Sequence, residues 1–362
     1  MSADGRLPGP RGLSNYPLRR RPVLLGRRTA SRALDAVGIR HPWVKHRPNP
    51  AEPRLLPRFS LFAVLGTWME ADVVEATVKN AFAQGCDRVF LVDNDSPDET
   101  VATAIDAGAE LARTFSMARH DEHARIRIMN EVVHEVSSAD GSKHIWWLWL
   151  DADEFAHGPS GLTIREFLAT LDDTFRIVGT RYLNHYPSGE PAYVPGFHPL
   201  DFQPLAEELT ERRCWLWHRK HQLQRFDRGA PAITCESGFH WASCAQRPLL
   251  EPTDAILLHH TPYRDRETTF RRLDALFSTQ SGTSRADPTD SPAMISRLRS
   301  LEAVYAQDWD AVEIGLAPGL KRPRARPRPW TELVEHEHHT VKRWYPAERL
   351  DEAIAGGAHK AA

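Results

Sequence analysis

Two short acidic runs stand where chemistry is easiest to place, at the ends of apolar stretches. The first is Asp151-Ala152-Asp153-Glu154-Phe155, directly after the run Ile145 to Leu150 (IWWLWL). Carboxylates at i and i+2 of an extended chain aim the same way, and such a pair suits a hard divalent cation that also holds phosphate oxygens. Mg2+ or Mn2+ on Asp151 and Asp153 is the expectation. The second run is Asp93-Asn94-Asp95-Ser96-Pro97-Asp98-Glu99-Thr100, after the apolar Val89 to Val92. Here two readings stand side by side. An Asx turn followed by a helix start explains Ser96, Pro97 and Asp98 with no ligand. It leaves over Asp93, whose carboxylate on a last strand residue suits the imide N–H of a uracil or ribose hydroxyls.

These residues need elements to hold them. Phe59 to Thr67 (FSLFAVLGT) is an apolar run of strand length, and Ala71 to Ala83 carries apolar residues at helical spacing up to Gly85. Asp87 to Asp93 reads as a buried strand with a helix opening at Ser96-Pro97. Arg113 to Met117 reads as a short strand, Ala124 to Val136 as a one-faced helix, and His144 to Leu150 as a Trp-rich strand. Strand and helix in alternation predict a Rossmann-related α/β fold, a mostly parallel sheet flanked by helices. In such a sheet the ligand crevice lies at the carboxyl ends of the strands. Thr67 to Glu70, Asp93 to Asp98 and Asp151 to Glu154 are thereby expected along one edge.

Beyond this half the chain is less regular. Phe175 to Asn184, His221 to Phe226 and Ala255 to His260 read as strands, Asp265 to Ser278 and Ser291 to Trp309 as helices, and Lys321 to Pro329 as a basic, Pro-rich linker.

The stretch from about Leu61 to Leu171 resembles glycosyltransferase family 2 and its relatives with the GT-A fold. The resemblance is carried by Asp93-Asn94, Ser96, Asp98 and Thr100, a "DN-x-S-x-D-x-T" segment, and by Trp147 with Asp151 to Phe155, a "W-x-x-x-D-A-D-E-F" segment. It implies a nucleotide-sugar donor (UDP, GDP or dTDP), a divalent metal on the DxD, a hydroxyl-bearing acceptor such as a carbohydrate, and transfer with inversion. Glu70 matches the acid that ends the family's first strand, where Met69 replaces the usual Asn. With Thr67, Asp93, Asp95 and Asp98, it forms the expected donor-binding set. The family's late "H-Y-x-x-R-S-x-x-x-F" element looks like His259-His260-Thr261 through Phe270, with the Tyr missing and a one-residue slip. His260 is the third metal ligand this implies.

The acceptor side must then come from the later half. Asn184 to Leu209, rich in Pro, Gly and aromatic residues, suits a loop stacked over a sugar. An inverting transfer needs a carboxylate to take the acceptor proton. Asp201, Glu207, Glu208 and Glu236 are candidates, and Glu236 is preferred because small residues around it leave it accessible. Lys220, in a segment with Trp215, Trp217, Arg219 and Trp241, is the expected phosphate contact. His336, His338 and His339 read as a solvated face.

Composition bounds the rest. The 362 residues are 41% hydrophobic and 26% charged, a globular balance. Residues 1–58 hold 13 Arg and Lys against three acids, so this segment carries +10 and the remainder −12. We expect a basic arm over 1–58, a GT-A catalytic domain over 59–280 (donor half 59–171, acceptor half 172–280), and a helical C-terminal extension over 281–362 with a linker at 321–329. The arm has no aromatic residues interleaved as in RNA binders. It reads as a solvated tail or a patch for acidic lipids, so peripheral membrane contact is kept and nucleic acid is not. Four cysteines without a CxxC pair, no apolar run of bilayer length and no secretory signal lead to the expectation of a cytoplasmic protein. Two rival functions remain. A nucleotidyl- or phosphotransferase would want a Gly-rich, basic loop after the first strand, which Gly66-Thr67-Trp68-Met69 does not supply. A non-enzymatic basic-arm binding protein would lose its ligand on removal of residues 1–58.

Overall fold

The computed structural model describes residues 44–117, 121–210, 219–280, 292–312, 324–334, 341 and 343–358. Residues 1–43, Trp215, Trp217 and the cluster His336, His338 and His339 lie outside the described residues. A short strand, β1 (Val44–Arg47), comes first. The alternation expected from sequence follows as β2 (Ser60–Thr67), α1 (Val74–Ala83), β3 (Arg88–Asp93), α2 (Thr100–Asp106), β4 (Glu110–Thr114), α3 (Glu122–Ala139) and β5 (His144–Asp151). These four strands pair in parallel in the spatial order β4-β3-β2-β5. Counted from β2, that is the 3-2-1-4 order of a doubly wound sheet, whose direction reverses between β2 and β5.

The Trp-rich strand explains itself in this setting. Trp146, Leu148 and Leu150 of β5 pack in one core cluster with α1, and Ile145, Trp147 and Trp149 in another with α3. A parallel strand covered on both faces must be apolar throughout. The helix α3 is set by Asp121, whose side chain accepts from the backbone N–H of His123 and Ala124 at 3.0 and 3.1 Å.

The second half is built from short strands: β6 (Glu154–His157), the helix α4 (Ile164–Ala169), then β7 (Ile177–Val178), β8 (Thr180–Tyr186), β9 (Leu205–Glu208), β10 (Leu223–Asp227), β11 (Ile233–Cys235), β12 (Ala242–Cys244), β13 (Leu249–Pro252) and β14 (Ile256–His260). The helices α5 (Arg266–Gln280) and α6 (Pro292–Tyr305), the strand β15 (Arg328–Pro329) and the helix α7 (Ala347–Ala358) complete it. The result is a mixed α/β protein. β10 extends the first sheet antiparallel to its four parallel strands, and β7, antiparallel to β10, ends it in their direction. A second sheet in the order β15-β9-β8-β14-β6, largely antiparallel, was not foreseen.

Several boundaries differ from expectation for physical reasons. The single strand expected over Phe175 to Asn184 is two strands in two sheets, and the chain crosses at Gly179, where a Cβ would collide with Glu251 and Arg219. The arm does not run to Arg58 as a free tail. β1 pairs in parallel with β13, Asn49 bonds Thr170 and Asp172, and Arg54 bonds Asp172 and Asp173. The linker expected at 321–329 is also tied down where it is described: Ala325 is buried, its N–H donating to Val312 at 2.9 Å, and β15 pairs with β9. The C-terminal part packs back, with Tyr345 in the main core cluster. Among the described residues no helix is long and apolar enough to cross a membrane, and Cys86, Cys235 and Cys244 are buried and free.

Candidate active site

The acidic run after β5 sits at the switch point of the first sheet. Gly66 of β2 pairs with Asp151 in register. Above Gly66 passes the guanidinium of Arg125, from the first turn of α3, where a Cβ on Gly66 would lie 2.7 Å from Nη1. Arg125 donates to Asp151 Oδ1 at 2.8 Å and is oriented by Glu122 at 2.8 and 3.0 Å. Lys220 Nζ lies 3.4 Å from the other oxygen. Burial pushes the Asp151 carboxyl up, but Arg125 and then Lys220 outweigh it and hold the group well below the usual carboxylate range.

Asp153 meets His260 because the second sheet brings them together. β14 pairs with β6 and with β8, so His260 stands opposite Glu154 on one side and Asn184 on the other. His260 Nε2 is 3.8 Å from Asp153 Oδ2, and Nδ1–H donates to Asn184 Oδ1 at 2.8 Å. An amide oxygen only accepts, so the neutral ring keeps its lone pair on Nε2, facing Asp153. Burial lowers the His260 pKa, and Asp153 restores it only in part. Asp153 itself is pushed up by burial and pulled further down by His260 and Arg264.

Lys220 is buried over the rings of Phe239 and Tyr182, at 5.2 and 5.6 Å. It donates to Glu154, which also takes Gln222 Nε2 at 2.5 Å and the backbone N–H of Asp151 at 3.2 Å. Burial works against its charge, but Glu154 and Asp151 hold its pKa up. Lys220, expected as a phosphate contact, thus lies beside Asp151 and Glu154.

The donor-binding set is distributed unevenly. Asp93 is buried, and its two oxygens accept from Thr67 Oγ1 at 2.8 Å, Ser96 N at 2.8 Å and Ser96 Oγ at 2.7 Å. Asp98 accepts from Thr100 N at 3.2 Å and from its hydroxyl. The turn reading thus accounts for Thr67, Asp93 and Asp98. The helix α2 starts at Thr100 rather than at Pro97, because Ser96 serves Asp93 instead of capping. Asp95 is exposed at a φ of 51°. Glu70 is buried and bound by Arg264 and Arg272, and burial pushes its carboxyl up to about 7 despite both cations.

Of the four carboxylates considered as base, three are taken up. Asp201 is held by Arg343 at 2.7 and 3.0 Å and by Tyr345. Glu207 accepts from Arg326 N at 3.2 Å, and Glu208 pairs with Arg181 at 3.0 and 3.2 Å. Glu236, just after β11, is exposed, and its carboxylate has no hydrogen bond or ion pair among the described residues, although its backbone bonds Trp241 and Phe239. Its turn ends in Phe239, whose ring lies under Lys220 and 5.4 Å from the Arg125 guanidinium.

Among the described residues no three His, Cys, Asp or Glu side chains are gathered as a ready metal cage. Mg2+ rarely asks for one, since it takes one or two carboxylates, waters and substrate phosphates. Asp153 and His260, 3.8 Å apart and with Nε2 presented, fit such an open site. Sequence reasoning missed Arg125, Glu154, Gln222 and Arg264. Arg264 is fully buried and joins Glu70, Asp72 and Asp153, at 3.0 Å for Asp72 and 3.9 Å for Asp153. Its place four residues after His260 is where the late motif has its Arg, in register with that His, and was the available signal.

No protein-family model matches the chain, and no curated protein does. Among solved structures, the chain is similar to the mannosyltransferase PcManGT from Pyrobaculum calidifontis in complex with GDP-Man and Mn2+, at 12% identity, covering 80% of this chain and 84% of that one with a TM-score of 0.32. It is similar to mannosyl-3-phosphoglycerate synthase from Rubrobacter xylanophilus at 14% identity, covering 76% and 91% with a TM-score of 0.29. The match to glucosyl-3-phosphoglycerate synthase from Mycobacterium tuberculosis with Mg2+ and UDP has 16% identity and a TM-score of 0.23, over 38% of this chain and 50% of that one.

Proposed function

We propose that this protein is a GT-A-type glycosyltransferase that moves a sugar from a nucleotide-sugar donor to an acceptor hydroxyl, with Mn2+ or Mg2+ at Asp151, Asp153 and His260. The observation that carries the reading is the switch-point cluster: two carboxylates and an imidazole with its Nε2 presented, ringed by the cations Arg125 and Lys220. Cations beside carboxylates at a strand end suit a diphosphate that arrives with a metal ion. When bound, the ion supplies a Lewis acid at the diphosphate oxygens, easing departure of the leaving group.

The chain's own residues do the rest. Asn184 fixes the His260 ring so that Nε2 stays available. Lys220 and Arg125 hold positive charge against the leaving diphosphate. The loop Asp93 to Thr100 and Glu70, braced by Arg264 and Arg272, form the nucleoside side of the cleft, with Asp95 exposed beside it. Glu236 is the base for an inverting transfer. A carboxylate left unpaired and exposed is free to take the acceptor hydroxyl proton. The donor is a UDP-, GDP- or dTDP-sugar, and the protein works in the cytoplasm, with its basic arm against acidic lipid.

The test is a thermal-shift panel of UDP-, GDP- and dTDP-sugars with and without Mn2+. A donor at 100 times its dissociation constant adds about 2.7 kcal/mol of stability. Absence of any metal-dependent shift across the panel overturns the reading.

A further inference from the structure

A cavity of about 200 Å3 lies between α3 and the β10 and β11 strands, away from the DxD. Its walls are Trp147, Trp149, Val133, Phe226 and Ile233, so it is largely apolar and aromatic. The Phe239 ring lies 5.9 Å from the Trp149 ring and 5.2 Å from Lys220 Nζ. Two residues lining it carry buried polar atoms without a partner: the indole N–H of Trp149 and Oε1 of Gln224, on side chains 1% and 3% exposed. The other polar groups are committed. Arg225 is held by Asp227, Phe175 O and Asp173 O, and Asn130 bonds both the N–H and the C=O of Cys235. His134 and Thr234, both exposed, mark the solvent side.

One orphaned donor and one orphaned acceptor call for a ligand that accepts at one point and donates at another. A hydroxyl group does both with one oxygen. A single bridging water also would, but it needs only roughly 10–15 Å3, and this space is far larger. It is also below the roughly 300–1,000 Å3 of drug-sized sites, which points to one ring. No uncommitted buried charge lines the cavity, so the ligand is neutral, and the two Trp faces favour a ring with an apolar face. We infer that this cavity is a second carbohydrate-binding site that takes a neutral monosaccharide unit, with a hydroxyl between Trp149 and Gln224 and the ring against the Trp wall. The inference is independent of the donor chemistry.

The experiment titrates the full chain with D-glucose, D-mannose, D-galactose and N-acetyl-D-glucosamine, followed by tryptophan fluorescence and saturation-transfer NMR. At least one sugar is expected to saturate. Gln224→Leu and Trp149→Phe should each weaken it roughly tenfold by removing one hydrogen bond, and Val133→Trp should abolish it by filling the space. Asp153→Asn should bind the sugar as wild type does, which separates this cavity from the donor site. Saturation by none of the four sugars overturns the inference. So does unchanged affinity in a folded Val133→Trp or, if that variant does not fold, in both Gln224→Leu and Trp149→Phe. Loss of binding in Asp153→Asn overturns it too, by assigning the sugar to the donor site.

Discussion

Asp93 and Asp151 end strands that flank β2 on its two sides, and both oxygens of each are occupied. The partners differ in kind. Those of Asp93 are neutral and local, two hydroxyls and a backbone N–H from Thr67 and Ser96, so the carboxylate is locked into its loop. Those of Asp151 are cations from α3 and from the segment before β10, long side chains that can transfer to an incoming phosphate. Two strand-end carboxylates with the same local spelling thus do different work. The charge and reach of their partners separate a carboxylate locked into its loop from the one the proposed function uses.

The largest effect should come from the metal side of this contrast. Asp153→Asn should abolish the Mn2+-dependent stabilisation by nucleotide sugar, read by thermal shift. A variant that keeps the shift would place the ion elsewhere. Next, Glu236→Gln should lower kcat by about 10²–10⁴ with donor binding intact. Equal losses in kcat and in donor affinity would remove it from the role of base. Asn184→Leu should then weaken Mn2+ binding in the presence of UDP by about 10- to 100-fold, the usual cost of freeing a ligand imidazole. Unchanged titration calorimetry would show that the ring needs no such brace.

Asp93→Ala tests the other member of the pair. It should cost about 1–3 kcal/mol in urea unfolding, since Thr67 and Ser96 lose their acceptor, while Mn2+ dependence stays put. Should nucleotide affinity collapse with stability unchanged, Asp93 would be a ligand group and the comparison would fall.

Acid should unfold the protein through groups outside this pair. Burial depresses His185 to about 4 and His240 to about 3. In the unfolded chain both take protons from roughly pH 6.5 downward, so stability is lost as pH falls below that value. Glu251, pulled to about 2 chiefly by His221 and Arg219 against its burial, adds a loss from about pH 4.5 downward. A tenfold difference in proton affinity between the folded and unfolded chain is worth about 1.4 kcal/mol. Urea midpoints flat from pH 7 to pH 4 would contradict the histidine part.

What the sequence disclosed was what one stretch of chain decides by itself. The run IWWLWL followed by two acids located both β5 and the DxD, because a strand buried on two faces and ended by carboxylates has few other readings. The strands of the second sheet, such as Leu205–Glu208 and Leu249–Pro252, were too short to show a period. With them went the pairing that puts Asn184 beside His260. Arg125 and Gln222 look like any helix or strand residue until α3 and β10 flank β5. The start of α2 was misplaced because Ser96 had two uses, cap or partner of Asp93, and only the folded loop chooses.

Tyr345 meets Asp201 across 144 residues of chain. During synthesis the loop carrying Asp201 emerges long before the segment that clasps it through Arg343, Trp344 and Tyr345. Domains fold from the N-terminus as they are made, so the two sheets can assemble while this loop still waits for its fastener. A nascent chain stalled before Val341 should be cut by protease between Ala192 and Phe202, at bonds that the full-length chain protects.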